Sequence, residues 1–444
     1  MVHKYRFKEK NIVLDVNSGS VHVFSDCAFA ALDFYMEKPS IIQGYTEAET
    51  SEAYSEIAEL EKHGLLFSDD ISELVLEQAK KRQPVVKALC LLVAHDCNLK
   101  CAYCFAGEGE YHGERGMMTK ETARKAIDFL IENSGTRRNL EIDFFGGEPL
   151  MNFEVVKYAV SYAKSLEEIH KKNFRFTLTT NGLLLNNETM EYINKHMDNL
   201  VLSLDGRKET NDSMRLTKDG GGTYDIITPK LVMAAQSRKD KDFYMRGTFT
   251  NRNLDFTKDV LHLSELGFKN ISVEPVAGGV DGKYEIKGAD LEAACAEYDL
   301  LAVEIIKRMG TESKFNFFHF MIDLTGGPCA AKRLYGCGAG AEYLAVAADG
   351  SLYPCHQFVG IGDFKMGSVN GLDNEKAELL RNNFEQCHVL SKDDCKSCFA
   401  KYYCGGGCVA NAYLVNGDIY KPYEPGCVLQ KKRTEVAIGL KAFE

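Results

Sequence analysis

The placement of cysteine constrains this chain more than any other feature. Fifteen occur, and ten of them fall into two regions: Cys97, Cys101 and Cys104, then Cys395, Cys398, Cys404 and Cys408 with Cys337, Cys355 and Cys427 around them. No apolar segment with basic flanks opens the sequence as an export signal would, so the expected compartment is the cytoplasm. There, grouped cysteines point to metal or redox chemistry rather than to disulfides. The longest clearly apolar stretch, residues 88–94, is far short of the ~20 residues that cross a bilayer. With 45% hydrophobic and 26% charged residues the composition is that of a folded globular protein. A net charge of −11 argues against a general nucleic-acid binder, because affinity for phosphates comes from Lys and Arg.

The 444 residues suit about three domains, and the pattern along the chain changes twice. In residues 1–83, two β-rich runs (12–16 and 21–24) flank Asn17-Ser-Gly-Ser20, a hairpin signal. A short helix opens at Asp26. A second begins at Thr46, with Glu49 at capping-box spacing, and stops at Gly64, and residues 65–67 read as a short strand. This is a winged-helix-like outline. Residues 1–80 carry seven Lys/Arg against fifteen Asp/Glu, so DNA is repelled and a peptide or protein is the better partner. Residues 80–84 read as a linker. From 84 to 310, strands at 88–95, 140–145, 174–180, 199–204, 243–249 and 270–276 alternate with helices near 119–133, 154–171, 186–196, 224–236, 255–267 and 290–309. Six βα units predict an α/β fold with a parallel sheet, either a partial (β/α)6 TIM-type barrel or doubly wound, with chemistry at the C-terminal strand ends. In residues 311–444 the alternation ends and Gly, Tyr and Cys become dense. Metal–thiolate bonds are the expected source of stability there.

Cys97-x3-Cys101-x2-Cys104 follows the first barrel strand directly. Structural zinc takes four protein ligands, whereas three thiolates on a loop suit a 4Fe–4S cluster with one iron uncovered. With Tyr103 before the last cysteine, this spacing resembles the signature of the radical S-adenosylmethionine (SAM) superfamily. The resemblance implies that SAM chelates the open iron. One electron then cleaves SAM, giving a 5′-deoxyadenosyl radical that abstracts an unactivated hydrogen. It also implies cofactor contacts at successive strand ends. These are Gly146, Gly147 and Glu148 in a GGEP motif, Asn181, Ser203, Asp205, and Arg215 as a carboxylate clamp. Arg246 and Glu274, on the fifth and sixth strands, complete the set.

Cys337, then Gly350-x4-Cys355, then Cys395-x2-Cys398-x5-Cys404-x3-Cys408 and Cys427 resemble the seven-cysteine SPASM domain of radical SAM peptide-modifying enzymes. The family's arrangement implies two auxiliary 4Fe–4S clusters. Cys395, Cys398, Cys404 and Cys427 would hold the distal one, and Cys337, Cys355 and Cys408 the nearer. Cys329 is a possible fourth ligand of the nearer cluster, although the expectation is three ligands and an exposed iron. A four-cysteine zinc site at 395–408 is the bland reading of the same residues. Cys27, Cys90, Cys295 and Cys387 belong to no motif. Cys90 and Cys295 are expected as small core residues.

The whole layout resembles the thioether-forming, sactipeptide-type maturases of SCIFF peptides. In that family a Cys-rich precursor peptide binds through its leader to the front domain by β-augmentation. The resemblance implies a cross-link between a Cys sulfur and a carbon of another residue. Joining S–H and C–H into C–S removes two electrons and two protons, hence the exposed auxiliary iron and an external one-electron donor. Formylglycine formation in a sulfatase and a non-enzymatic zinc scaffold are the alternative readings. Neither a membrane nor a nucleic acid is expected as partner.

Overall fold

The computed structural model describes residues 1–81, 85–277, 282–324 and 334–444, so Cys329 and most of the anticipated linker lie outside the described residues. At the front, strands Val2–Phe7, Lys10–Asp15 and Val21–Phe24 form an antiparallel sheet in that order. Fully buried Asp15 fixes the expected hairpin turn by accepting from the backbone N–H of Ser18 and of Ser68, at 2.9 and 3.1 Å. Helices Asp26–Ala31, Glu47–Lys62 and Ser72–Lys80 follow, and the Thr46–Glu49 capping box is present. The strand expected at 65–67 does not form. Phe67 adopts a left-handed backbone (φ +53°) that stacks its ring on Tyr35 at 5.2 Å, a conformation closed to an extended run.

The next six main strands are Ala88–His95, Asn139–Gly146, Asn173–Thr180, Asn199–Ser203, Asp242–Phe249 and Asn270–Pro275. They pair in parallel and in chain order, within one residue of the boundaries read from sequence. The intervening helices also lie where expected, with Thr119 and Asn186 capping two of them. Strand alternation decides between the two architectures. Leu140, Ile142, Phe144, Phe174, Phe176, Leu178, Leu200, Leu202 and Met245 are buried on one face. Asp143, Phe145, Thr177, Thr179, Ser203, Tyr244, Arg246 and Thr248 lie at intervening positions and are partly or fully exposed. A doubly wound sheet would cover both faces. From the second strand to the fifth, one covered apolar face and one more polar, partly exposed face fit a partial barrel better than a doubly wound sheet, while the first strand is buried on both faces.

The C-terminal region is not separate from this sheet. Asn316–Phe317 pairs in parallel with the sixth strand, and Tyr343–Val346 with the first. Leu352–Tyr353 then adds antiparallel beyond it, giving a ten-stranded sheet once Gly116–Met117 is included. The region is also more helical than its sequence suggests, with helices Asn374–Gln386, Val409–Asn416 and Glu424–Lys441. The last of these buries Arg433, Thr434 and Gly439 beside aliphatic residues, which breaks the apolar period. At Gly439 a Cβ would sit 2.4 Å from the ring of Phe7.

That helix closes one side of the front domain. Tyr5 donates its hydroxyl to Glu435 O (2.7 Å) and His3 pairs with the Glu435 carboxylate (2.9 Å), so the Val2–Phe7 edge is covered. His3 also stacks on Phe399, with centroids 3.6 Å apart and rings 3° from parallel. Lys401, only 2% exposed, reaches Asp70 at 3.1 Å. Phe399 and Lys401 lie between Cys398 and Cys404, so the cysteine-rich segment is the floor on which the front domain rests. Substituting Asp70→Asn leaves a buried ammonium without its carboxylate, at a cost of about 1–3 kcal/mol. The expected result is faster amide exchange in residues 1–81, with the central barrel strands unchanged.

Candidate active site and metal centres

The start of the loop after the first barrel strand is tied to the end of the second strand through backbone hydrogen bonds. Gly147 N donates to Ala94 O (2.8 Å) and Glu148 N to Asp96 O (3.0 Å). A Cβ on Gly146 would lie 2.4 Å from Ala94 O, and one on Gly147 2.2 Å from Asp96 O. The two glycines therefore let the end of the second strand lie flat against the segment that carries Cys97.

Glu148 is nearly fully buried, and its carboxylate accepts from Leu150 N (3.0 Å), Thr180 Oγ1 (2.8 Å) and Asn181 N (2.8 Å). It joins the ends of the second and third strands. Burial lifts its pKa to about 7 against the pull of those donors. Asn181, tied down by this bond, donates its amide to Asn98 (2.8 Å) and to the Cys97 sulfur (3.6 Å).

On the opposite side of the loop, Tyr103 donates its hydroxyl to the Asp205 carboxylate (2.8 and 2.9 Å). The Tyr103 oxygen in turn accepts from Arg215 Nη1 at 3.0 Å. Thr248 N also donates to Asp205 (3.0 Å). Burial raises Asp205 to about 6 although Arg215 favours its charged form. Arg215 is 7% exposed, and its Nε is buried without a partner. A short antiparallel pairing of residues 215–217 with 99–101 carries Arg215 to the cysteine loop.

Ser203 and Arg246 are paired neighbours on the lumen side of the fourth and fifth strands. Glu274 is drawn elsewhere. It accepts from Ser272 (2.8 Å) and pairs with His319 (2.9 Å), which is bonded to Arg433 of the C-terminal helix (2.8 Å). Burial would raise Glu274, but His319, then Arg246 and Arg433, override it and hold the carboxyl below its usual range. His319 and Arg433 belong to no motif, and nothing in the sequence marks them.

The thiols fall into three sets by their mutual electrostatic influence. Cys97, Cys101 and Cys104 act on one another. Cys355 feels Cys408 and Cys337. Cys395 feels Cys404, Cys427 and Cys398. Burial, Glu148 and the neighbouring thiols push Cys97 up to about 12, and burial with Cys101 pushes Cys104 to about 11. Burial likewise raises Cys395 to about 12 and Cys427 to about 11. Among the described residues no three His, Cys, Asp or Glu side chains close into a shell for a single metal ion. Grouped thiols are nevertheless a donor set suited to a metal cluster, whose positive charge makes the thiolate the stable form even where burial opposes ionisation. The unpartnered Arg215 Nε likewise fits a carboxylate-bearing cofactor.

Two rings bridge the first and second sets. Phe105, next to Cys104, contacts His356, next to Cys355, at 5.6 Å. His356 also meets Phe145, and its Nδ1 lies 3.3 Å from the Tyr343 hydroxyl. Cys90 is buried in the first strand as expected and Cys387 is buried too, whereas Cys295 is only half-buried.

Residues 91–273 match the family model of the radical SAM superfamily. The strands and helices of this span are a radical SAM domain, and such a domain implies SAM and a 4Fe–4S cluster. The radical SAM cyclopropyl synthase TigE of Paramaledivibacter caminithermalis is 26% identical over 373 residues, covering 78% of this chain and 72% of its own. A cysteine-type anaerobic sulfatase-maturating enzyme of Clostridium novyi is 22% identical over 349 residues, covering 73% and 89%. Streptococcus suis SuiB, solved bound to precursor peptide SuiA, shares the fold with a TM-score of 0.54 at 17% identity, over 96% of this chain and 98% of its own. No helix among the described residues is long and apolar enough to cross a membrane.

Two outcomes are expected. Glu148→Gln turns one of three accepted bonds into a donor facing a donor, costing about 1–3 kcal/mol, to be read as a lower urea midpoint. Glu274, held below its ordinary 4.5, stabilises the folded chain above that pH, and the contribution fades as pH falls beneath it. Glu274→Gln should therefore lose stability near neutral pH but lose less than the parent between about pH 5 and about pH 3, measured by thermal unfolding.

Proposed function

We propose that the chain is a radical SAM peptide maturase that forms a thioether between a Cys sulfur and a carbon of another residue in a Cys-rich precursor peptide. The observation that carries this reading is the separation of ten thiols into three sets, the first on the loop after the first barrel strand and bridged to the second by the Phe105–His356 ring contact. In the proposal Cys97, Cys101 and Cys104 hold the SAM-binding cluster. Cys395, Cys398, Cys404 and Cys427 saturate a distal auxiliary cluster. Cys337, Cys355 and Cys408 hold a nearer one with a coordination site left for the substrate sulfur. Arg215 clamps the cofactor carboxylate, while Tyr103 and Asp205 fix the guanidinium. Ser203 and Arg246 line the lumen beside it. When bound, SAM and the reduced cluster supply hydrogen-atom abstraction that no acid or base side chain can perform.

The front domain supports a peptide substrate. Its Val2–Phe7 edge is covered by the C-terminal helix, which leaves Val21–Phe24 as the edge where a leader adds as a strand, and Val23 there is 52% exposed. SuiB, similar in fold over nearly the whole chain, is a protein seen with a precursor peptide. The sulfatase-maturating relative supports a second reading, formylglycine formation, which requires neither an open auxiliary iron nor a leader-binding edge.

The expected result for Cys97→Ala, Cys101→Ala or Cys104→Ala is 5′-deoxyadenosine release at background. For the reaction, mass spectrometry of a co-produced small Cys-rich peptide should show one pair of hydrogens lost per bridge. A peptide lacking the acceptor Cys should still permit SAM cleavage but gain no ring. Full oxidation with a ring in that peptide overturns the thioether reading. A colourless zinc protein from anaerobic purification overturns both enzymatic readings.

A further inference from the structure

Lys392 stands at the junction of the two auxiliary cysteine sets. It immediately precedes the short helix Asp393–Lys396, and its backbone O accepts from Cys395 N at 3.0 Å. Its side chain does not run to solvent, as a lysine beside two aspartates ordinarily would. It is 2% exposed, and Nζ donates to Gly406 O at 2.8 Å. Gly405, Gly406 and Gly407, all at positive φ, form the turn that joins Cys404 of one set to Cys408 of the other. A Cβ at Gly406 would lie 3.6 Å from Nζ, so the ammonium rests directly on that turn. It acts electrostatically on Cys395, on Cys408 and on Cys387, whose sulfur it also meets by a hydrogen bond.

Among the described residues no carboxylate lies within ion-pair distance of Lys392, although Asp393 and Asp394 adjoin it in sequence. Asp393 is 94% exposed on its side chain and pairs with Lys396 instead. A buried cation without a partner is strongly disfavoured. The groups around this one are thiols, from both sets. Thiolates bound to an iron–sulfide core outweigh its positive charge, so a cysteine-ligated cluster is an anion, and it becomes more anionic on reduction.

We propose that Lys392 is the shared buried counter-ion of the two auxiliary clusters and sets their reduction potentials upward, easing electron uptake from the reacting peptide. This rests on the reading that both cysteine sets carry iron–sulfur clusters. Lys392 is a positioning residue: its charge biases the electron acceptor and touches no substrate. A cation beside a cluster stabilises the reduced form more than the oxidised form, so removing it lowers the potential. Cys387, which donates to Ile419 O at 3.1 Å while meeting the ammonium, helps to hold Nζ in place.

The test compares the anaerobically purified holoenzyme with Lys392→Met and Lys392→Arg, measuring iron and sulfide per chain and EPR-monitored potentiometric titrations without peptide. Lys392→Met should shift the one-electron reduction equilibrium of an auxiliary cluster at least tenfold toward the oxidised form, a fall of about 59 mV. Lys392→Arg should stay near the parent value. If Lys392→Met loses auxiliary iron while Lys392→Arg keeps it, the requirement for charge is also met. Full iron with parent potentials in Lys392→Met overturns the proposal, as does equal loss of iron in both variants. A parent protein showing only the SAM-binding cluster overturns the reading beneath it, an outcome told apart by its iron content.

Discussion

The site depends on the contact between the Gly146–Glu148 turn and the backbone of Ala94–Cys97. Here two chain segments meet with no side chain between them, and both Gly147 and Glu148 donate backbone N–H groups across the gap. Once that contact is made, Glu148 fixes the end of the third strand, and Asn181 there meets Cys97. Arg215, Tyr103 and Asp205 close the same loop from its other side. The cysteine loop is thus clamped from two directions by parts that the barrel strands deliver. Such clamping pre-organises the three grouped thiols, because loops otherwise move more than the elements that bear them.

The barrel was legible because local signals and tertiary role agree there. Alternating strands with one apolar face, helices with N-caps, and glycine at close approaches each have a short-range cause. The cysteine sets were legible for the same reason, since ligand spacing along a chain is itself a local constraint. What stayed hidden is non-local. Nothing near Glu274 announces that its partners are His319 and Arg433, or that residues 343–346 extend the barrel sheet beside residues 88–91. The helix Glu424–Lys441 escaped notice because it packs Arg433 and Gly439 where an apolar stripe would be. The strand expected at 65–67 was a case of composition outvoted by packing: Tyr35 draws Phe67 out of the extended conformation.

The GGEP motif has a packing role inside the chain. Its glycines make room for the protein's own backbone, and the Glu148 carboxylate accepts from three internal donors. Through those contacts the motif holds the loop that carries Cys97.

The seating of His3 against Phe399 and Glu435 joins opposite ends of the sequence, with Glu435 432 positions away. Ribosomes release a chain from its amino end, and domains usually mature in that order. Here the strand Val2–Phe7 cannot complete its packing until the helix Glu424–Lys441 and the cysteine-rich segment have been synthesised, so the front sheet settles late, on parts made long after it.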